Sequence, residues 1–277
     1  MSFRSKLRYL YRWDLIPDRL QDRYLRYSRA LPDRNYWRGL KDKYKGQAGF
    51  VIGNGPSLKI EDLTEIKKHG FVSIASNKIY LAFDQTDWRP NLFTIADNLV
   101  WEKIKDSIHD DIELVHIANK LDKTGANKPI RYWNTLDNNY SEKPSFFASD
   151  ISKGMNTGAT ITYENLQIAV YTGLNPIYII GCDHFYEGED SYENGVMIEQ
   201  SDKQTHFIKG YRTPGEVVWA ATIDKMSKAY ATAKNYSDKF GIKIYNATRG
   251  GHLEVFERTN LDQVYCNSEK YSPSKKS

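Results

Sequence analysis

The chain has 277 residues, with 39 Lys and Arg against 35 Asp and Glu, 40% hydrophobic residues and 13% aromatics. That profile fits one folded unit with an appendage, and it excludes a disordered protein or two large domains. Apolar runs such as IYIIGC and FVSIA stop far below the roughly 18 residues a membrane-spanning helix needs, and no run of small and apolar residues marks a secretory leader. Cys182 and Cys266 alone can build neither a disulfide scaffold nor a cysteine-rich zinc site, so a cytoplasmic protein in a reducing compartment is expected.

The charge is uneven along the chain. Residues 1–45 carry 13 basic against five acidic side chains, a net of +8, while the remainder carries 26 against 30. This arm, read as residues 1–46 and as helical, also holds Phe3, Tyr9, Tyr11, Trp13, Tyr24, Tyr27, Tyr36 and Trp37. It suits packing on the body or on a second copy in a homo-oligomer, or a peripheral position on the anionic inner face of the cell membrane. Nucleic acid also takes basic and aromatic residues together, but no RNA-binding or helix-turn-helix signature is present, and nucleic acid is not expected as a partner.

From Gly49 the apolar segments are short, β-branched and bounded by turn residues. Strands are expected at Gly49–Gly53, Phe71–Ser76, Leu92–Ala96, Ile112–Ala118, Ile177–Gly181 and Ile242–Asn246. Helices are expected at Glu61–His69, Leu99–Ile108, Ala159–Thr172 and Glu216–Phe240. Their alternation predicts an α/β fold over residues 47–265, a Rossmann-like, doubly wound and mostly parallel sheet. Asp122–Lys153 and Glu187–Gly215 read as irregular inserts, the first as a lid, and residues 266–277 as a disordered tail.

The first strand runs into Gly53-Asn54-Gly55-Pro56-Ser57-Leu58. Two glycines permit a tight turn whose backbone N–H groups would face a phosphate or sugar, although a plain strand-to-helix corner reads equally well. The third Gly of a dinucleotide fingerprint and the Lys-Ser/Thr of a P-loop are both missing. Asn77, Asp97 and Asp183 end three other strands, and in an open α/β sheet such ends converge on one crevice. Asn156-Thr157-Gly158 opens a helix, where it can hold an anion or simply cap. Tyr186 and Tyr192 can donate hydroxyl protons to a departing phosphate, and Asp97 with Asp183 would suit a Mg²⁺ carrying a polyphosphate.

In these ordered motifs residues 50–245 resemble the bacterial sialyltransferases that use CMP-sialic acid, and the wider set of surface-polysaccharide and flagellin glycosyltransferase-like proteins sharing GNGPSL. The Asp97 strand end is similar instead to the hydroxymethylpterin diphosphokinases and motility-associated glycosylation proteins. The resemblance implies a GT-A-like variant of the fold. It implies a donor site at Asn54, Asn77, Asn156, Thr157 and Gly158, with Tyr186 and Tyr192 on the leaving phosphate, and the turn and strand-end residues Gly53, Gly55, Ser57, Asp97 and Asp183 are expected to line the same site. It departs at Gly210, where those transferases carry their catalytic histidine, so either His206, His184 or Asp97 replaces that base, with His206 the first choice, or the chemistry differs. The implied activity is metal-independent transfer of a sugar, sialic-acid-like or other, from a CMP- or other nucleotide-activated donor to a glycan or lipid-linked acceptor in surface polysaccharide synthesis. No cofactor is implied beyond the donor itself. The rivals are a Mg²⁺-dependent pyrophosphokinase of the hydroxymethylpterin type and a catalytically silent nucleotide-binding protein.

Overall fold

The computed structural model describes residues 33–136, 145–185, 197–199, 205–219 and 222–268. In chain order the elements are α1 (Arg34–Gly39), β1 (Gly49–Ile52), α2 (Ile60–Lys68), β2 (Val72–Ser76), a 3-10 turn (Asn77–Ala82), β3 (Leu92–Ile95) and α3 (Asn98–Ile104). There follow β4 (Val115–Ala118), β5 (Ile130–Trp133), α4 (Ile161–Tyr171), β6 (Ile177–Ile180), β7 (Met197–Glu199) and β8 (Val217–Trp219). The chain closes through α5 (Ile223–Phe240), β9 (Ile244–Asn246), β10 (Glu257–Arg258) and α6 (Leu261–Cys266).

Eight strands form one parallel sheet in the order β10-β9-β6-β1-β2-β3-β4-β5, flanked by helices. This is the Rossmann-like doubly wound arrangement. β1, β2, β3, β4 and β6 are buried along their whole length, the few polar residues they carry (Ser73, Ser76, Thr94 and His116) included, so they show no apolar-in, polar-out alternation. Strand order reverses between β1 and β6, and at such a point the loops leaving the two strands part and open a crevice. α4 packs against β1, β2 and β3, and nearly every one of its side chains is buried, including the polar Thr162, Glu164, Asn165 and Gln167, so it has no solvent face and is not amphipathic. Since α4 feeds the parallel strand β6, it runs against the strands and brings its first turn to their carboxyl edge.

All six expected strands are present, with ends shifted by a few residues. Several elements differ from expectation, among them β7, a strand inside the Glu187–Gly215 segment read as irregular. The Asp122–Lys153 segment contains β5, which pairs with β4 in register Val115↔Ile130. Only Trp133 in that strand is fully buried, so its four residues lack the apolar run that marks the others. The long helix expected from Glu216 starts at Ile223, because Val217–Trp219 pairs antiparallel with β7 as β8. That β-branched and aromatic triplet has the composition of a strand. β10 pairs with β9 as a two-residue edge.

The end of the basic arm belongs to the body. Trp37 is fully buried and its Nε1–H donates to the Tyr132 carbonyl at 2.5 Å, while the Tyr132 N–H donates to Asp33 at 2.7 Å. The amides of Asp42, Tyr44 and Gly46 donate to the carbonyls of Tyr171, Thr172 and Gly173 at the close of α4. Residues 1–32 lie outside the described residues. Within the described residues no helix is long and apolar enough to cross a membrane.

Candidate functional site

The turn after β1 is locked onto the loop after β6. A Cβ on Gly53 would lie 2.8 Å from the Gly181 carbonyl carbon, and one on Gly55 would lie 2.9 Å from both the Gly181 oxygen and Asp183 Cγ. Only glycine permits this approach. The Ser57 hydroxyl donates to Asp183 Oδ2 at 2.9 Å and the Ser57 N–H to the same oxygen at 3.4 Å. Burial raises the Asp183 pKa against the two Ser57 hydrogen bonds that lower it. The amides of Gly53, Gly55 and Leu58 are also occupied, by the carbonyls of Ile180, Gly181 and Gly55. Four turn donors that the sequence offered to a phosphate therefore serve the protein itself.

The side chains at the strand ends are less committed. Asn54 Nδ2 donates to the Ser76 carbonyl at 3.1 Å, which fixes the amide orientation and leaves Oδ1 an acceptor that is buried with no partner. Asn77, at the end of β2, takes a left-handed φ of 58° tolerated by Asn, and its Oδ1 is likewise buried and unpaired. Both are the kind of buried acceptor that native structures rarely leave unmet. The chain from Thr205 lies against them: the Phe207 N–H donates to the Asn54 carbonyl at 3.1 Å, and Lys78 Nζ, next to Asn77, donates to the Tyr211 carbonyl at 2.9 Å.

Asp97 caps α3, its Oδ1 accepting from the amides of Leu99 at 2.7 Å and Val100 at 3.3 Å. Before α4, Asn156 Oδ1 accepts from the Gly158 N–H at 3.2 Å, and Gln167 grips the Asn156 backbone through both its amide atoms. Gly158 and Ala159 are both left-handed, and a Cβ on Gly158 would meet the Tyr163 ring. The cap itself is Thr160, which accepts from Thr162 N–H. Thr157 is buried beside this turn, at the same sheet edge as Asn54 and Asn77.

His206 stacks on Tyr211 with centroids 4.0 Å apart and accepts or donates at Nδ1 with the Thr205 hydroxyl at 2.8 Å. Burial first, then Arg212 and Lys78, depress its pKa to about 3, so it is neutral but a weak proton acceptor. Burial also raises the Tyr211 phenol to about 12. His184, left-handed after β6, pairs with the Ser227 hydroxyl at 2.7 Å, and burial and His252 lower its pKa. Tyr186 and Tyr192 lie outside the described residues.

Sequence reasoning missed a charged group beside this segment. Lys78, Lys103 and Arg212 all donate to one oxygen, Glu216 Oε1, at 3.4, 2.8 and 3.2 Å, and the Thr213 N–H donates to Oε2 at 2.9 Å. Against the burial that would raise it, these partners hold the Glu216 carboxyl at about 2. The lysines and Glu216 are more than a hundred residues apart in the chain, so no local spacing announces them.

Residues 26–189 match the family described as 6-hydroxymethylpterin diphosphokinase MptE-like. No curated protein matches the sequence. Among solved structures, a MAf glycosyltransferase from Magnetospirillum magneticum AMB-1 is similar at a TM-score of 0.45 and 14% identity. That comparison covers 86% of this chain, which spans only 41% of the other.

Proposed function

This chain belongs to the 6-hydroxymethylpterin diphosphokinase MptE-like family, and from that premise we propose that its crevice takes a nucleotide-activated sugar, of the CMP class, and passes the sugar to a glycan or lipid-linked acceptor in surface polysaccharide assembly. The observation that carries this reading is the pair of buried, unpaired acceptors, Asn54 Oδ1 and Asn77 Oδ1, at adjacent strand ends. They ask for a ligand rich in hydrogen-bond donors, such as an exocyclic amine or ribose and sugar hydroxyls, and they do not suit bare phosphate. As the glycosidic C–O bond breaks, its electron pair passes to the phosphate oxygen, and the acceptor oxygen bonds the anomeric carbon and sheds its proton. Tyr186 and Tyr192 are assigned to the leaving phosphate on the resemblance alone. His206 can take the acceptor proton once the donor's negative charge offsets Arg212 and Lys78, which now hold its basicity down.

The second reading is pyrophosphoryl transfer from ATP to a small alcohol, and the family's description favours it. A Mg²⁺ there would draw on Asp97 and Asp183, each of which already has an oxygen engaged by the protein. Among the described residues no three His, Cys, Asp or Glu side chains gather as metal ligands, so such an ion would depend on substrate phosphates for most of its shell.

Thermal unfolding with CMP, a CMP-sugar and ATP tests the choice. At a hundredfold excess over Kd a ligand stabilises the native state by about 2.7 kcal/mol. CMP and its sugar are expected to raise Tm, and Asn54→Ala with Asn77→Ala to abolish the rise. Absence of any shift with millimolar CMP sinks the donor-site reading, and conversion of ATP to AMP that stops in EDTA establishes the rival.

A further inference from the structure

We propose that Lys78, Lys103 and Arg212 form a binding site for a compact anionic group of the substrate, a phosphate or a carboxylate, and that Glu216 occupies this site internally when the substrate is absent. This deepens the crevice reading by locating where the donor's negative charge is held.

Three cations meet one carboxylate here, so the group carries an excess of two positive charges. It is sheltered: the side chains of Glu216, Lys78 and Arg212 are 4%, 13% and 17% exposed. Lys103, at 41%, forms the open side. A network built only for stability balances its charges, because uncompensated charge away from water is costly. The nearby Asp97 carboxylate, which caps α3 and whose charge reaches Tyr211, offsets part of this excess, and the neighbouring His206 is neutral, so a net positive charge remains.

The geometry of Arg212 points the same way. Its Nη1 donates to Glu216 Oε1, while its Nε is buried with no acceptor. A guanidinium normally presents two parallel donors to a carboxylate or phosphate, and here one of the pair is left unmatched. All three cations also crowd onto the single oxygen Oε1, so an arriving anion can take over one or two of them without displacing Glu216 from the Thr213 amide.

The cluster adjoins the crevice. Lys78 follows Asn77, its Nζ donates to the Tyr211 carbonyl at 2.9 Å, and the same short segment places His206 on Tyr211 and Phe207 on Asn54. Four amides of the β1 turn are already occupied, and Arg249 beside that turn is paired with Asp62, so this cluster is a source of donors for negative charge next to the crevice.

Titration calorimetry of the full chain with pyrophosphate tests this without a nucleoside. Lys103→Met is expected to weaken binding about tenfold, the loss of one charge-assisted contact. Glu216→Gln removes the competing carboxylate and is expected to tighten binding several-fold. Saturating pyrophosphate is also expected to raise the His206 pKa of the unmodified protein, followed by NMR, which keeps the test open if Glu216→Gln misfolds. A purely structural network predicts no pyrophosphate binding, or binding indifferent to Lys103→Met with His206 unmoved, and any of these overturns the proposal. Competition by CMP or by a free acidic sugar identifies the source of the anion. CMP binding undiminished by Lys103→Met sinks this site but spares the donor reading, whereas pyrophosphate binding that CMP does not displace does the reverse.

Discussion

Gly55→Ala is the sharpest probe of the contact that holds the crevice. The added methyl would sit 2.9 Å from the Gly181 carbonyl oxygen and 2.9 Å from Asp183 Cγ, and nearer still to Asp183 Oδ2. Backbone cannot yield cheaply, so the Asp183 side chain must swing away and release the Ser57 hydroxyl it accepts from at 2.9 Å. Overpacking costs about 1–3 kcal/mol and a lost charge-assisted hydrogen bond about 1.5–3 kcal/mol, which together give roughly 2.5–6 kcal/mol. For a domain of this size that corresponds to a fall in Tm of about 5–15 °C. Asp183→Ala alone loses the hydrogen bond but also removes a carboxylate whose burial is unfavourable. In that background Gly55→Ala meets only the Gly181 carbonyl. The double-mutant cycle, read by thermal or urea unfolding, is therefore expected to show a coupling of about 1–2 kcal/mol. A Gly55→Ala protein as stable as the parent, or strictly additive losses, would falsify the reasoning that this glycine serves a side-chain contact.

Three other outcomes are expected. Changing Tyr186 and Tyr192 to Phe should lower turnover of a nucleotide sugar far more than donor affinity, since their hydroxyls act on charge that develops during the reaction; equal losses in kinetics and calorimetry refute that role. Truncation to residue 33 should release the chain from anionic vesicles, because residues 1–32 carry eight basic against three acidic side chains, and each basic one is worth about 1 kcal/mol near such a surface. Truncation to residue 46 should cost several kcal/mol more by removing the buried Trp37 and Leu40, and vesicle binding that survives the shorter cut removes the membrane role. Stability should fall as pH drops from about 6.5 toward 4, since burial depresses His116 to about 4 and His206 to about 3. The unfolded chain then takes up protons that the folded one refuses, at up to ~1.4 kcal/mol per pH unit for each histidine. A urea midpoint that is flat between pH 7 and 5 contradicts this.

The fold was legible because fully buried parallel strands announce themselves: GFVI, VSIAS, LFTI and IYII are dominated by apolar residues and have no exposed face, their Ser and Thr being buried with the rest. β5 and β10 sit at the two edges, where a strand needs few apolar residues, and their sequences IRYW and ER carry almost no pattern. At the site, the polar residues that end strands were visible as punctuation after apolar runs, which picked out Asn54, Asn77, Asp97 and Asp183. Their duties were not visible. Whether a strand-end acid caps a helix, as Asp97 does, or clamps a neighbouring loop, as Asp183 does, depends on which backbone amides lie within reach. The Glu216 cluster draws on a 3-10 turn, a helix and a loop, and only the closed sheet brings them together.

The missing third glycine of the β1 turn has a structural counterpart. In a dinucleotide-binding turn the glycines let a pyrophosphate approach the amides at a helix start. Here Gly53 and Gly55 let another stretch of the protein approach instead, and the amides of Gly53, Gly55, Ser57 and Leu58 are satisfied by it or by the turn itself. Negative charge on a ligand then has to be met elsewhere than in this turn. The cations Lys78, Lys103 and Arg212 lie beyond Asn77, toward β3, so the nucleotide would extend across the ends of β1 and β2 rather than dive toward α2. Such a pose places the unpaired amide oxygens of Asn54 and Asn77 under the donor-rich part of the ligand and its charge beside His206, the two requirements that the crevice's buried groups impose.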